Sequence, residues 1–327
     1  MPVLLEARSL DDNNHANGIM PPGDCLEIGL LNNLGDGGLA SGERQFISLL
    51  EAAAGDAVVR LTLYSLPQIR RSQATRERIR GMYSSMSSML SGRLDGLIVT
   101  GAEPLAADLP GETFWRSLTE VMDWAEHHTI STIWSCLAAH AAVLHLDGIP
   151  RLPLPAKQSG IYALQRTGDH ELLAGTGGGG ASYHAPHSRF NGLDASILEC
   201  HGYQVLTQSR AVGVDTFVKK WGSLFVYLQG HPEYDAPALT REYRRDILRF
   251  LTEESGRYPA MPENYFRDDV ELRLRDFEML ARIERRPETM FSFPVSIMGD
   301  GIKTERWRQD ATILIHNWLQ YLRAQKS

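Results

Sequence analysis

Residues 130–142 read Ile130-Ser131-Thr132-Ile133-Trp134-Ser135-Cys136-Leu137-Ala138-Ala139-His140-Ala141-Ala142. A β-type apolar run stops at a cysteine, and an Ala-rich helical run starts directly after it. This strand–Cys–helix order puts the thiol on a sharp turn with its sulfur directed away from the sheet, the mechanics of a nucleophile elbow. The helix N-terminus behind it favours the thiolate, the reactive form. One cysteine in a short apolar segment is also ordinary core material. The decision rests on whether the chain supplies a base and a group to orient it.

Upstream of the cysteine, strand-like and helix-like patterns alternate. Leu26–Leu31 reads as a buried strand running into the turn-rich loop Asn32–Gly38, and a helix follows from Ser41 to Ala54. Val58–Tyr64 is a second strand, residues 70–90 an Arg- and Met-rich helical segment, and Leu94–Thr100 a third strand ending in Gly101-Ala102. Phe114–His127 is an amphipathic helix. The alternation predicts an α/β fold with a doubly wound, mostly parallel sheet. In such sheets chemistry collects at the carboxyl ends of the strands, where Gly35, Gly101 and Cys136 fall.

Residues 1–24 read as a loose N-terminal arm, and past residue 150 the pattern loosens. Gly175–Gly180 reads as a surface linker, since no strand feeds it and neither a helix nor a Lys follows. Further strands are expected at Gln204–Thr207, Val214–Val218 and Leu224–Gln229, and helices at Ala236–Leu251, Val270–Arg285 and Arg308–Leu322. The organisation expected is an arm (1–24), a catalytic domain (25–256) and a C-terminal helical extension packed on the same domain (257–327).

The chain has 327 residues, 43% hydrophobic and 22% charged, with a net charge of −7. That is the composition of a soluble globular protein, with no electrostatic reason to bind nucleic acid or an anionic membrane. No apolar run is long enough to span a bilayer, and the first residues lack a signal-peptide pattern. Cys25, Cys136 and Cys200 are too few and too scattered for a disulfide framework. A reduced, cytoplasmic protein is expected.

A cysteine nucleophile needs a base in hydrogen-bond reach and a group to hold that base. Gly230-His231-Pro232-Glu233 follows the apolar strand Leu224–Gln229. At extended spacing, residues two apart face the same side, and Pro232 pushes His231 toward an extended conformation. Glu233 is thus placed to orient His231 and stabilise its imidazolium. The backbone amide of Leu137, at the helix start, is the natural first donor of an oxyanion hole, with Leu34-Gly35 supplying the second. Among the other histidines, His127 and His128 end a helix, and His140 and His145 read as packed or capping residues. His184 and His187 are spaced like a metal pair, but no third ligand is near, so no metal is expected. Cys25 and Cys200 read as structural.

Cys136 behind a strand with a later Gly-His-Pro-Glu-Tyr (230–234) resembles the class I glutamine amidotransferase fold. The chain more specifically resembles the homoserine O-acyltransferase (homoserine O-succinyltransferase and O-acetyltransferase) family. The motifs that carry this run from residue 26 to 321: residues 97–102 (LIVTGA), 132–136 (TIWSC), 144–150 (LHLDGIP), 185–189 (APHSR), 230–235 (GHPEYD), 242–246 (EYRRD), 262–266 (PENYF) and 317–321 (NWLQY).

The resemblance implies acyl transfer through a Cys136 thioester, with acyl-CoA (succinyl-CoA or acetyl-CoA) as co-substrate and no permanently bound cofactor. It implies His231 as base, Glu233 as its orienting group, homoserine as acceptor in methionine biosynthesis, and a homodimer. Lys157, Ser188 and Arg245 match family residues that contact substrate; a guanidinium at 245 suits the acceptor carboxylate. The alternatives are serine or another hydroxy-amino acid as acceptor, or a glutamine amidotransferase or amide hydrolase. The sequence departs from the family where the loop after the first strand, residues 34–38, lacks lysine. At Glu103-Pro104-Leu105-Ala106 the donor-selecting position does not align, and residues 267–304 run longer than usual.

Overall fold

The computed structural model describes residues 3–6, 25–179, 182–294, 301–303 and 306–326. Its main sheet is built from β1 (Val3–Leu5), β2 (Cys25–Leu31), β3 (Val58–Tyr64), β4 (Leu94–Val99), β5 (Thr129–Ser135), β8 (Gln204–Val205), β11 (Thr216–Lys220) and β12 (Leu224–Leu228). The order is β1-β3-β2-β4-β5-β12-β11-β8. All pairings from β1 to β12 are parallel, and β11 and β8 extend the sheet antiparallel. Helices cover both faces, so the central strands need side chains that are apolar on both sides. That is why Leu26, Ile28, Leu30, Val59, Leu61, Ile98, Ile133 and Val226 are almost fully buried.

One face packs against α1 (Leu39–Ala53) and the last helix, α9 (Arg306–Lys326); the other packs against α4 (Trp115–His128) and α5 (Leu137–Asp147). α9 is cut to fit the middle of the sheet. A Cβ at Gly96 would lie 2.7 Å from the Trp318 ring, and the Trp318 indole donates to Ser131 Oγ at 2.9 Å. Short helices α2 (Gln73–Met82) and α3 (Met86–Ser91) lie between β3 and β4, and α6 (Ala195–Cys200) precedes β8.

Several expectations need correction. Val3–Leu5, expected inside a loose arm, forms the edge strand beside β3; residues 7–24 lie outside the described residues. The region after 150 holds a second, antiparallel sheet, ordered β10-β9-β6-β7. It comprises β6 (Leu152–Arg166), β7 (Ser182–Gly192), β9 (Thr207–Ser209) and β10 (Gly213–Val214). The glycine run is not a free linker. Thr176 is buried and the Gly177 amide donates to Asp310 Oδ1 of α9 at 2.7 Å; Gly180 lies outside the described residues. Cys25 is buried, whereas Cys200 is exposed.

A third apolar cluster joins α7 (Ala238–Leu251), α8 (Asp268–Ile283), Tyr265, Phe266 and Trp307. It meets the second sheet at Gly160, whose φ is +150° and whose added Cβ would lie 2.4 Å from the Glu263 carbonyl oxygen. Only glycine permits that approach. The β6–β7 register pairs Ser159 with Ser188 and Gly160 with His187, which presents this hairpin to α7.

Candidate active site

The parallel pairing of β12 with β5 sets Leu228 opposite Ser135, so Cys136 and the residues after Leu228 leave the sheet side by side. The Cys136 amide donates to the Leu228 carbonyl at 2.7 Å. Cys136 itself has φ 54° and ψ −115°. A non-glycine residue held there costs about 1–3 kcal/mol of backbone strain, tolerated only where the surroundings over-determine it. The surroundings here are a sheet strand before it and α5 starting at the next residue. The thiol is half-buried.

His231 is fixed through its backbone and its ring. Its amide donates to the Pro186 carbonyl at 2.8 Å, and its Nδ1 lies 2.8 Å from Glu233 Oε1. With Nδ1 engaged by Glu233, Nε2 is the ring nitrogen left for the thiol, and Cys136 lies near enough for its charge to act on the ring. Burial opposes a charged imidazole here, but the charges of Cys136 and Glu233, with the Glu233 hydrogen bond, outweigh it and raise the His231 pKa well above its ordinary value. The preceding residue, Gly230, rests on the buried carboxylate of Asp215, its amide donating to Oδ1 at 2.8 Å. Thr216 and Thr207 hydroxyls hold the other oxygen at 2.8 and 3.2 Å. His187, entirely buried, sits 3.3 Å from Asp215 Oδ1, and burial, reinforced by Arg189 and His231, lowers its pKa well below the ordinary value. A neutral His187 inside this network is structural, and among the described residues no cluster could hold a metal ion.

The expected oxyanion donors divide. The Leu137 amide lies against Gly101, where a Cβ would come within 3.0 Å of its nitrogen, so only glycine at 101 leaves that donor open. The Leu34 amide is engaged by Asn32 Oδ1 at 3.2 Å. The Gly35 carbonyl accepts from Gly38 and Leu39. The lysine-free loop is braced instead by Arg71, whose guanidinium donates to the carbonyls of Leu34 and Asn32 at 3.0–3.1 Å.

Lys157, Ser188 and Arg245 come from β6, β7 and α7, and all three converge on Glu242 of α7. Lys157 Nζ lies 3.2 Å from Glu242 and 2.7 Å from Asp246. Ser188 Oγ donates to Glu242, and Arg245 lies 3.8 Å from it and 2.9 Å from Asp246. The Tyr234 hydroxyl donates to the other Glu242 oxygen. Burial works against ionising Glu242, but Lys157, Arg245 and the hydroxyls of Ser188 and Tyr234 outweigh it and hold its pKa at about 2. The Tyr234 ring stacks on His231, centroids 4.2 Å apart and planes 15° apart. The sequence reading does not single out Glu242, Asp246, Tyr234 or Asp215 as site residues, whereas it places Gly101 at a strand end where chemistry collects. Only the spacing of Glu242 and Asp246 around Arg245 on one helix face offered a signal.

A family model described as homoserine O-succinyltransferase matches residues 16–327. A homoserine O-succinyltransferase of Rhodopseudomonas palustris is 47% identical over 97% of this chain and 94% of its own. One from Methylorubrum extorquens is 45% identical over 97% and 94%. Among solved structures, a glutamine amido transferase from Methylobacillus flagellatus superposes with a TM-score of 0.50 at 12% identity, covering 91% of this chain and 95% of that one. That likeness carries the fold alone.

Proposed function

The chain belongs to the homoserine O-succinyltransferase family, and from that premise we propose that it moves a succinyl group from succinyl-CoA, through a thioester on Cys136, to the hydroxyl of L-homoserine. In the first half-reaction the Cys136 sulfur attacks the thioester carbonyl. The developing oxyanion is met by the Leu137 amide beside Gly101. The carbon–sulfur bond to CoA breaks, and the departing thiolate takes the proton held on His231. In the second, His231 removes the proton of the homoserine hydroxyl as its oxygen attacks the acyl carbon. The bond to Cys136 then breaks and the ester leaves. Glu233 keeps Nδ1 occupied throughout, so that one ring nitrogen alone carries the proton traffic. Arg245, its guanidinium partly exposed at the edge of the Glu242 cluster, suits the acceptor carboxylate.

The observation that carries this reading is the 2.8 Å Glu233–His231 contact, made by a ring that feels the charge of Cys136 at a strained strand end. Mixing the protein with succinyl-CoA and reading intact mass tests it. The expected result is one succinyl adduct, lost in Cys136→Ala and discharged by homoserine faster than by serine. No adduct with either succinyl- or acetyl-CoA, or ammonia released from glutamine, overturns it.

A further inference from the structure

Tyr234 stands between two parts of the site that the proposed mechanism treats separately. Its ring lies flat on the His231 imidazole, and its hydroxyl donates to Glu242. Its backbone is held as well: the amide donates to the His231 carbonyl at 3.2 Å, and the Trp307 indole donates to its carbonyl at 3.0 Å. The side chain therefore has one fixed position, set at one end by the turn that carries the base and at the other by the carboxylate that gathers Lys157, Ser188 and Arg245. Glu233 fixes His231 only at Nδ1. One hydrogen bond leaves the ring free to tilt about that contact, and the stacked phenol removes that freedom.

We propose that Tyr234 is a positioning residue for the acyl-transfer step, coupling the acceptor-side charge cluster to the plane of the His231 imidazole. This rests on the acyl-transfer reading above. Anything that occupies the Lys157–Ser188–Arg245 cluster acts on Glu242, and through the Tyr234 hydroxyl on the base that must deprotonate the acceptor. The donor half-reaction, in which acyl-CoA meets Cys136, does not need that link. The hydroxyl therefore matters more for acyl transfer to the acceptor than for loading the cysteine.

Tyr234→Phe removes the hydroxyl and keeps the ring; Tyr234→Leu removes both. The two half-reactions are timed separately: thiol release from succinyl-CoA on mixing, and discharge of preformed acyl-enzyme by homoserine. Tyr234→Phe is expected to slow discharge about tenfold more than loading, part of the roughly 10²–10⁴-fold that a positioned base contributes, and to raise the KM for homoserine. Tyr234→Leu is expected to slow both steps and to shift the pH profile of loading. Equal slowing of both steps by Tyr234→Phe, or none, overturns the proposal and leaves Tyr234 a packing residue. The His231 ring titration, followed by NMR in the resting protein, needs no turnover. A shift in Tyr234→Phe supports the coupling, and an unchanged titration overturns it. A wild-type protein that forms no adduct sinks the acyl-transfer reading itself, an outcome separate from either result on Tyr234.

Discussion

Gly230→Ala tests whether the base is placed by packing beneath it. A Cβ at 230 would lie 2.7 Å from Asp215 Oδ1, 2.9 Å from the Pro186 carbonyl oxygen and 3.2 Å from His187 Nε2. None of these can retreat freely. Asp215 is held by Thr207, Thr216 and the Gly230 amide, the Pro186 oxygen already accepts from His231, and His187 is fully buried. The turn must lift. Overpacking of this kind costs about 1–3 kcal/mol, and weakening a hydrogen bond to a charged group about 1.5–3. With partial relaxation we expect a loss of about 2–4 kcal/mol in urea unfolding. A displacement of His231 by about 1 Å is expected to lower kcat/KM by roughly 10²-fold. Gly148→Ala serves as the control. Gly148 has φ +67° and nothing within 4 Å of an added Cβ, so it should lose only about 1–2 kcal/mol and keep its activity. Gly230→Ala with unchanged stability and kcat/KM within about threefold of wild type would refute the reasoning.

Glu233→Gln removes one of the two charges that raise the His231 pKa, so the imidazole should titrate lower by NMR and acyl loading should fall by about 10²-fold. Because the folded pKa is raised, the stability that this pair contributes is fully present below the unfolded His value of about 6.5 and lost as pH rises through the folded value. The gap between wild type and Glu233→Gln in urea unfolding should therefore narrow with rising pH. Glu242 behaves in the opposite sense: with a folded pKa of about 2, the stability its ionised form contributes is present above about pH 4.3 and lost as pH falls toward 2. Lys157→Met leaves Glu242 and Asp246 without the lysine they share, and should cost about 3 kcal/mol in denaturation and raise the homoserine KM. Trp318→Ala should cost about 3–5 kcal/mol, since the indole is buried and bonded to Ser131; calorimetry reads it.

Strands buried on both faces announce themselves as apolar runs, and β2 to β5 begin and end within a residue or so of where the sequence places them. The second sheet does not. β6 opens with Pro153, Pro155 and Lys157, and β7 carries two histidines, an arginine and two serines. Its strands are defined by each other and by Glu263, not by hydrophobic pattern. The edge strand Val3–Leu5 is three residues long and exists because β3 pairs with it. The same division runs through the site. Cys136, His231 and Glu233 sit at ends of strands, where local sequence is eloquent. Lys157, Ser188 and Arg245 came from family likeness alone. Glu242 and Tyr234 lie inside quoted motifs, but their contact with each other and with Lys157 and Ser188 shows only when β6, β7 and α7 are folded together.

The placement of Trp318 over Gly96, with its indole bonded to Ser131, has a consequence for biosynthesis. The strand that ends in the nucleophile is sealed by a helix made roughly 180 residues later, which at 5–20 residues per second is an interval of about 9–36 s. Until then the middle of the sheet lies open on one side. A chain interrupted before α9 carries the cysteine, the histidine and the glutamate, yet lacks the surface that holds their strands in register. Completion of the polypeptide thus closes the face of the sheet behind the thiol last, after every reactive group has been made.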